Sequence, residues 1–224
     1  MNFFDDFYNS IIYDNRYMYI LTGIKNTLIM AFFAVILGIA IGLIISIINN
    51  YHKETRRLPI LNWLGKFYVT IIRGTPTLVQ LMILYYVVFR SVDVNVLLVG
   101  ILAFGFNSGA YVSEIIRAGI DSIDVGQKEA GLALGLSYGQ VMREIIIPQA
   151  IKNVLPALGN EFITLLKETS IGGYIGVVEL TKASDIISSR TYNYFFPLLL
   201  VALIYLVLTS SLAKILKKLE EKLA

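Results

Sequence analysis

Cysteine is absent from the 224 residues, and histidine occurs once, as His52. The first absence removes disulfides, thiolate metal sites and cysteine nucleophiles. The second leaves too little imidazole for a histidine metal site or a Ser-His-Asp arrangement. Charge is scarce as well: Asp, Glu, Lys and Arg make up 16% of the chain, where a soluble domain carries about a quarter. A net charge of +3 is too small to point to nucleic acid. There is no G-x-x-x-x-G-K-[ST] stretch either. Gly65-Lys66 lacks both the upstream glycine and the following Ser/Thr, so the chain has no such loop to cradle ATP phosphates. Neither a catalytic constellation nor a metal site is expected, and the chain should bind no cofactor of its own.

What is abundant is apolar: 56% of the residues, with a mean hydropathy of +0.69. That is more apolar surface than one soluble core can hide, so the expected fold is all-α, a polytopic transmembrane helical bundle. Residues 1–21 carry Asp5, Asp6 and Asp14 against Arg16, the wrong charge order for a signal peptide. Their aromatic residues read as an external, interfacial segment leading into the first span.

A crossing helix needs about 20 largely apolar residues. Five spans are expected: 27–48, 67–89, 94–116, 151–171 (the weakest) and 194–212. Gly38 and Gly42 in the first have the GxxxG spacing that lets another helix approach closely. The second contains Arg73-Gly74-Thr75-Pro76 and should be kinked there. Stretches 50–66, 117–152 and 214–224 hold twelve Lys/Arg residues; 1–25, 90–93 and 167–190 hold six. The positive-inside rule then places the N-terminus outside and the C-terminus in the cytoplasm. With no linker or internal repeat, residues 1–224 read as one membrane domain.

The long loop, residues 121–152, looks structured. Asp124 with Gln127, and Ser137 with Gln140, have capping-box spacing. Gly135 stands where a left-handed helix stop belongs. The loop should hold two short helices, the second ending at Pro148, with Val125, Leu132 and Leu136 available to pack. His52 reads as a solvated cytoplasmic side chain, and Gly172-Gly173 with Gly176 as a bend at the outer interface.

Glu129-Ala130-Gly131, then Gly135, then Ile145, Ile147 and Pro148 resemble the EAA loop of the membrane subunits of ABC importers. Gly131 replaces that pattern's last Ala, and Ile147 its Leu. Arg73 to Gln80, Ala110 to Glu114, Pro148 to Ala150 and Asn160 to Ser170 further resemble the permeases of polar amino acid importers. The likeness covers about residues 20–215 and implies a type I ABC importer permease in a bacterial-type cytoplasmic (inner) membrane. It implies two paired permeases, the homodimer being the simpler arrangement. It also implies a separate P-loop ATPase binding ATP and Mg, docked on residues 121–152 through Glu129, Ala130, Gly131, Gly135 and Pro148. An external amino acid-binding protein would deliver the substrate.

A carboxylate inside a span must face a partner or a cavity, since insertion costs it about 3 kcal/mol. Glu161, with Asn160 and Thr164 on the neighbouring face, is the leading substrate-cavity candidate. Asn107, Tyr111 and Glu114 form a second polar stripe, and two facing stripes would make a midplane cavity. The substrate carboxylate would need donors from Arg73 or Thr75. Intramembrane acids favour a cationic amino acid such as arginine, histidine or lysine, although the same motifs occur in permeases for other polar amino acids. Structural roles stand beside each of these: Glu114 with Arg117 at i,i+3, and Glu161 bonded to a neighbouring helix backbone. The alternatives are a secondary transporter or channel using Glu161 and Glu114 as a carboxylate relay, and a membrane-bound enzyme, which one histidine and no cysteine make hard to build.

Overall fold

The computed structural model describes residues 3–223, and the described residues form helices without strands. Helix α1 (Phe3–Phe7) and two further turns through Asn15 precede α2 (Tyr17–Thr55). At 39 residues α2 is about 58 Å long, nearly twice the hydrocarbon thickness. Next come α3 (Pro59–Gly74) and α4 (Thr77–Ile83), the latter running on through a π-helical turn to Val88. Then follow α5 (Val96–Asp121), α6 (Val125–Ala133), α7 (Tyr138–Val141), a π-helical turn over Met142–Ile146, and α8 (Ile147–Glu168). A 3-10 segment (Thr169–Ile175), α9 (Leu180–Thr191) and α10 (Phe195–Leu223) complete the order.

Three helices, α2, α5 and α10, are long and apolar enough to cross a bilayer, and the broken pair α3–α4 makes a fourth candidate. The fourth of the five expected spans, α8, is long enough at about 33 Å but too polar to qualify as a crossing helix by composition. The expected kink between residues 67 and 89 is a full break, with α3 and α4 at 111°. Its cause is local. Pro76 has no N–H to donate, and Thr75 before it is held extended at φ −125°, ψ 148°.

The centre of the bundle is α2 against α5, and glycine permits it. A Cβ on Gly38 would lie 2.8 Å from the Ser108 side chain, and one on Gly42 would lie 2.5 Å from Val112. The GxxxG spacing is therefore a helix contact within this chain. Met30, Ala34, Val99, Phe104, Leu165 and Val177 bury a shared core beside it. Gly159 does the same for α8, where a Cβ would meet Leu216 of α10 at 2.5 Å. The aromatic N-terminal segment is folded back, with Ile11 buried and Phe7 edge-to-face with Phe196 at 5.8 Å.

Candidate functional site

The loop over residues 121–152 folds as its caps dictate, with two departures. The Asp124 side chain caps α6 by accepting from the Gly126 N–H at 2.6 Å, while the Gln127 N–H donates to the Asp124 backbone carbonyl at 3.1 Å, so no capping box forms. Ser137 and Gln140 form the full capping box of α7. Gly135, at φ +84°, ends α6: its N–H donates to Leu132 O at 3.0 Å, while Leu136 N–H donates to Gly131 O at 3.2 Å. That pair of bonds is a Schellman stop and needs the left-handed conformation glycine adopts without strain. Pro148 does not end the second helix as expected. The chain stays helical through the π-helical turn into α8, and Pro148, which has no N–H to donate, directly follows that turn inside the continuous helix. Gly131 is buried, and a Cβ there would lie 2.9 Å from Val141 and 3.1 Å from Ile145. Glycine at that position lets α6 lie close upon the next helical turn.

Val125, Glu129 and Leu132 fall at i, i+4 and i+7 on one face of α6, and all three are exposed, as is Ala130. Val125 and Leu132 are therefore open to solvent and remain available to pack against a partner. Leu134, at the end of α6, is 83% exposed. Lys128 borders this face of α6 and fixes its edge: it forms a salt bridge with Glu54 at the end of α2, and its ammonium lies 5.4 Å from the centre of the Tyr138 ring. Burial and the nearby Glu54 carboxylate raise the Tyr138 pKa. Gln149 Nε2 donates to Gln127 Oε1 at 2.6 Å, tying α6 to the start of α8.

Within the bundle the polar residues divide into three groups. Glu161 accepts from the Ser108 hydroxyl of α5 at 2.9 Å. Asn160, Thr164 and Lys167, on the adjacent face of α8, are exposed, while Leu165 between them is buried. The second group closes the α3–α4 break. Gln80 Nε2 donates to the carbonyls of Ile72 at 2.8 Å and Thr75 at 3.0 Å, two of the acceptors the break sets free. Asn107, 2% exposed, donates to Gln80 Oε1 at 3.0 Å. The Thr75 hydroxyl caps back on Ile71 O at 2.8 Å. The third group is ionic: Arg73 lies 3.4 Å from Glu114, which also takes two nitrogens of Arg117 at 2.9 and 3.2 Å. Arg117 continues to Asp121 at 3.0 Å, and Asp121 to Lys53 at 3.1 Å.

The two polar stripes therefore do not face each other. Asn107 turns to the break and Glu114 to its arginines. The residue that meets Glu161 is Ser108, about 100° further round α5. Gln80 and Ser108 are the partners that spacing along a single helix could not reveal. One further residue escapes the sequence pattern altogether. Glu179, fully buried, caps α9 by accepting from Thr181 N–H at 2.6 Å and Lys182 N–H at 2.7 Å, and lies 3.4 Å from the Tyr205 hydroxyl. Burial pushes its carboxyl up to about 7. Only its place at a helix start, three residues before Lys182, could have marked it.

Residues 38–224 match the family described as the binding-protein-dependent transport system inner membrane component. The putative glutamine transport system permease protein GlnP of Rickettsia typhi is 42% identical over 93% of this chain and 94% of its own. The arginine transport system permease protein ArtQ of Bacillus subtilis is 41% identical, over 92% of each. Among solved structures, an amino acid ABC transporter with histidines aligns at a TM-score of 0.85 with 42% identity, covering 91% of this chain and 94% of that one. The MetNI methionine ABC transporter in an inward-facing conformation aligns at 0.79 with 19% identity, over 94% and 99%, a likeness of fold.

Proposed function

The chain belongs to the inner membrane components of binding-protein-dependent transport systems, and from that premise we propose that it forms the translocation path for a polar amino acid. A separate P-loop ATPase, holding ATP and Mg, drives it between outward- and inward-open states. The observation that carries the coupling half of this reading is the exposed face of α6. Val125, Glu129 and Leu132 are exposed, while Lys128 at the edge of that face ties α6 to α2 and Gln127 on the far side ties it to α8. An apolar face with one central carboxylate suits a groove in a partner bearing a cation. A rigid, anchored helix passes a partner's movement to α2, which a loose tether would not.

The substrate half rests on α8. Its Asn160, Thr164 and Lys167 face is polar, exposed and at membrane depth, so it must meet water or a second subunit and not lipid. Two copies of this chain, facing each other across that surface, would enclose a polar cavity beside Glu161. Glu161 and Asn160 then offer acceptors to an ammonium or a cationic side chain, and Lys167 a donor to a carboxylate. Relatives named for glutamine and for arginine support a polar amino acid, and the acids favour a cationic one such as arginine, histidine or lysine. An external binding protein delivers it at the outer face. The N-terminus lies outside, residues 121–152 and the C-terminus in the cytoplasm. The carboxylate-relay alternative loses its second member, because two arginines hold Glu114.

The test is purification in mild detergent with identification of stoichiometric partners, then reconstitution in liposomes. ATP-dependent amino acid uptake with a co-purifying P-loop ATPase is the expected result. A folded chain that comes through alone, and takes up amino acids without ATP, overturns the reading.

A further inference from the structure

We propose that the cavity of about 530 Å³ between α2, α3 and α5 is a second binding site, separate from the Glu161 face, for a free α-amino acid. Its volume lies in the range of roughly 300–1,000 Å³ that small-molecule sites occupy. Helix α3 is divided lengthwise to build it. Ile60, Trp63, Leu64, Phe67 and Ile71 are exposed on one side, whereas Asn62, Lys66, Val69 and Arg73 recur at helical spacing along the cavity wall.

Three features define the guest. The wall carries Lys53, Lys66, Arg73 and Arg117 against Glu114 and Asp121, an excess of two positive charges. Both carboxylates are already shared, Glu114 between Arg73 and Arg117, and Asp121 between Arg117 and Lys53. Lys66 makes no salt bridge among the described residues, so the surplus is available to an anion. Finally, Asn62 is only 8% exposed, and its side-chain oxygen has no hydrogen-bond partner among the described residues. A buried acceptor of that kind calls for a donor. The guest must bring an anionic group and an N–H together, as the carboxylate and ammonium of an α-amino acid do.

The cavity lies by Lys53 and Asp121, one residue from the Glu54 that meets Lys128 of α6. In the proposed orientation this is the cytoplasmic side, so the site is a station on the release path. The identity of the guest rests on the amino acid transport reading. Phosphatidylethanolamine offers the same pair of groups, and the test separates the two.

The complex with its ATPase, free of nucleotide, is titrated in detergent with labelled arginine and labelled glutamine by equilibrium dialysis. Beyond what the Glu161 face holds, one further molecule per chain is expected. Lys66→Glu, at an exposed position, should weaken its binding by about tenfold or more, the scale of one lost charged contact. Asn62→Leu should weaken the same binding, and Glu161→Gln that at the Glu161 face. A single molecule per chain, lost with Glu161→Gln and indifferent to Lys66→Glu, overturns this inference and leaves the transport reading standing. No amino acid bound at all overturns both. A site sensitive to Lys66→Glu that takes labelled phosphatidylethanolamine and no amino acid overturns the inference in favour of the lipid.

Discussion

The side-chain amide of Asn107 on α5 donates to that of Gln80 on α4 at 3.0 Å, and Gln80 in turn holds the carbonyls left open where α3 and α4 part. One buried amide thus supports another that repairs a helix break. In lipid an unsatisfied carbonyl costs several kcal/mol, so non-helical backbone persists at depth only where protein groups replace the lost bonds.

Gln80→Leu removes the donor to both carbonyls and leaves the buried Asn107 amide only its longer contact to the Thr77 hydroxyl, at 3.4 Å. A loss of about 2–3 kcal/mol is expected from one unsatisfied buried group and the lost bonds. The apparent Tm of the purified protein should fall by several degrees. An unchanged Tm would show that the break is stable without this bridge.

At Gly42 a Cβ would lie 2.5 Å from Val112 and 2.8 Å from the Ser113 backbone nitrogen, which cannot swing away. Gly42→Val should therefore separate α2 from α5 and abolish stable insertion. Gly139→Ala meets nothing within 4 Å and is the matched control, expected to express and insert as the wild type does. Quantitative blotting of membrane fractions reads both.

Glu129→Lys should abolish uptake and ATPase co-purification with expression intact, since Glu129 is exposed and supports nothing within the fold. Lys128→Glu should also impair uptake, but by freeing α6 from Glu54, so the partner would still bind. The exchange Glu54→Lys with Lys128→Glu then restores transport. Failure of that double variant to exceed either single one argues against the ion pair as the link to α2.

Glu179 gives a pH dependence. Its carboxyl, raised to about 7 by burial, binds a proton more tightly in the folded chain than the ordinary carboxylate value of about 4.3 allows in the unfolded one. The stability it contributes is full below about pH 4.3 and is lost as pH rises through about 7. The shift corresponds to roughly 4 kcal/mol. Apparent Tm should fall between pH 5 and pH 8 in the wild type and stay flatter in Glu179→Gln. Equal slopes in the two proteins would remove Glu179 as the titrating group.

Much of this chain is legible in its local chemistry. Gly135, Ser137 with Gln140, and Pro76 each act through their own backbone or within four residues, and each does in the fold what its residue type dictates. Gly38 with Gly42 told of a close helix neighbour but not which one. Pro148 misled because proline commonly ends a helix, whereas here a π-helical turn precedes it and the chain stays helical. The polar stripes misled for a different reason: Asn107 and Glu161 have similar chemistry and depth, yet spacing along one helix says nothing of how another is rotated.

The sequence alone determined the membrane class, the helical fold, the capped helices of residues 121–152 and the lack of a P-loop motif, because these follow from composition, periodicity and short-range patterns. Tertiary structure decided that Ser108, and no member of the Asn107 stripe, meets Glu161; that Gln80 repairs the break; and that α3 turns Asn62 and Lys66 towards a cavity. It also decided that Glu179 is buried, although nothing in its neighbourhood along the chain requires it. Each of these depends on the rotation of one helix about its axis against another. Packing fixes that angle through contacts between residues far apart in the chain, and a difference of one residue turns a side chain by about 100°.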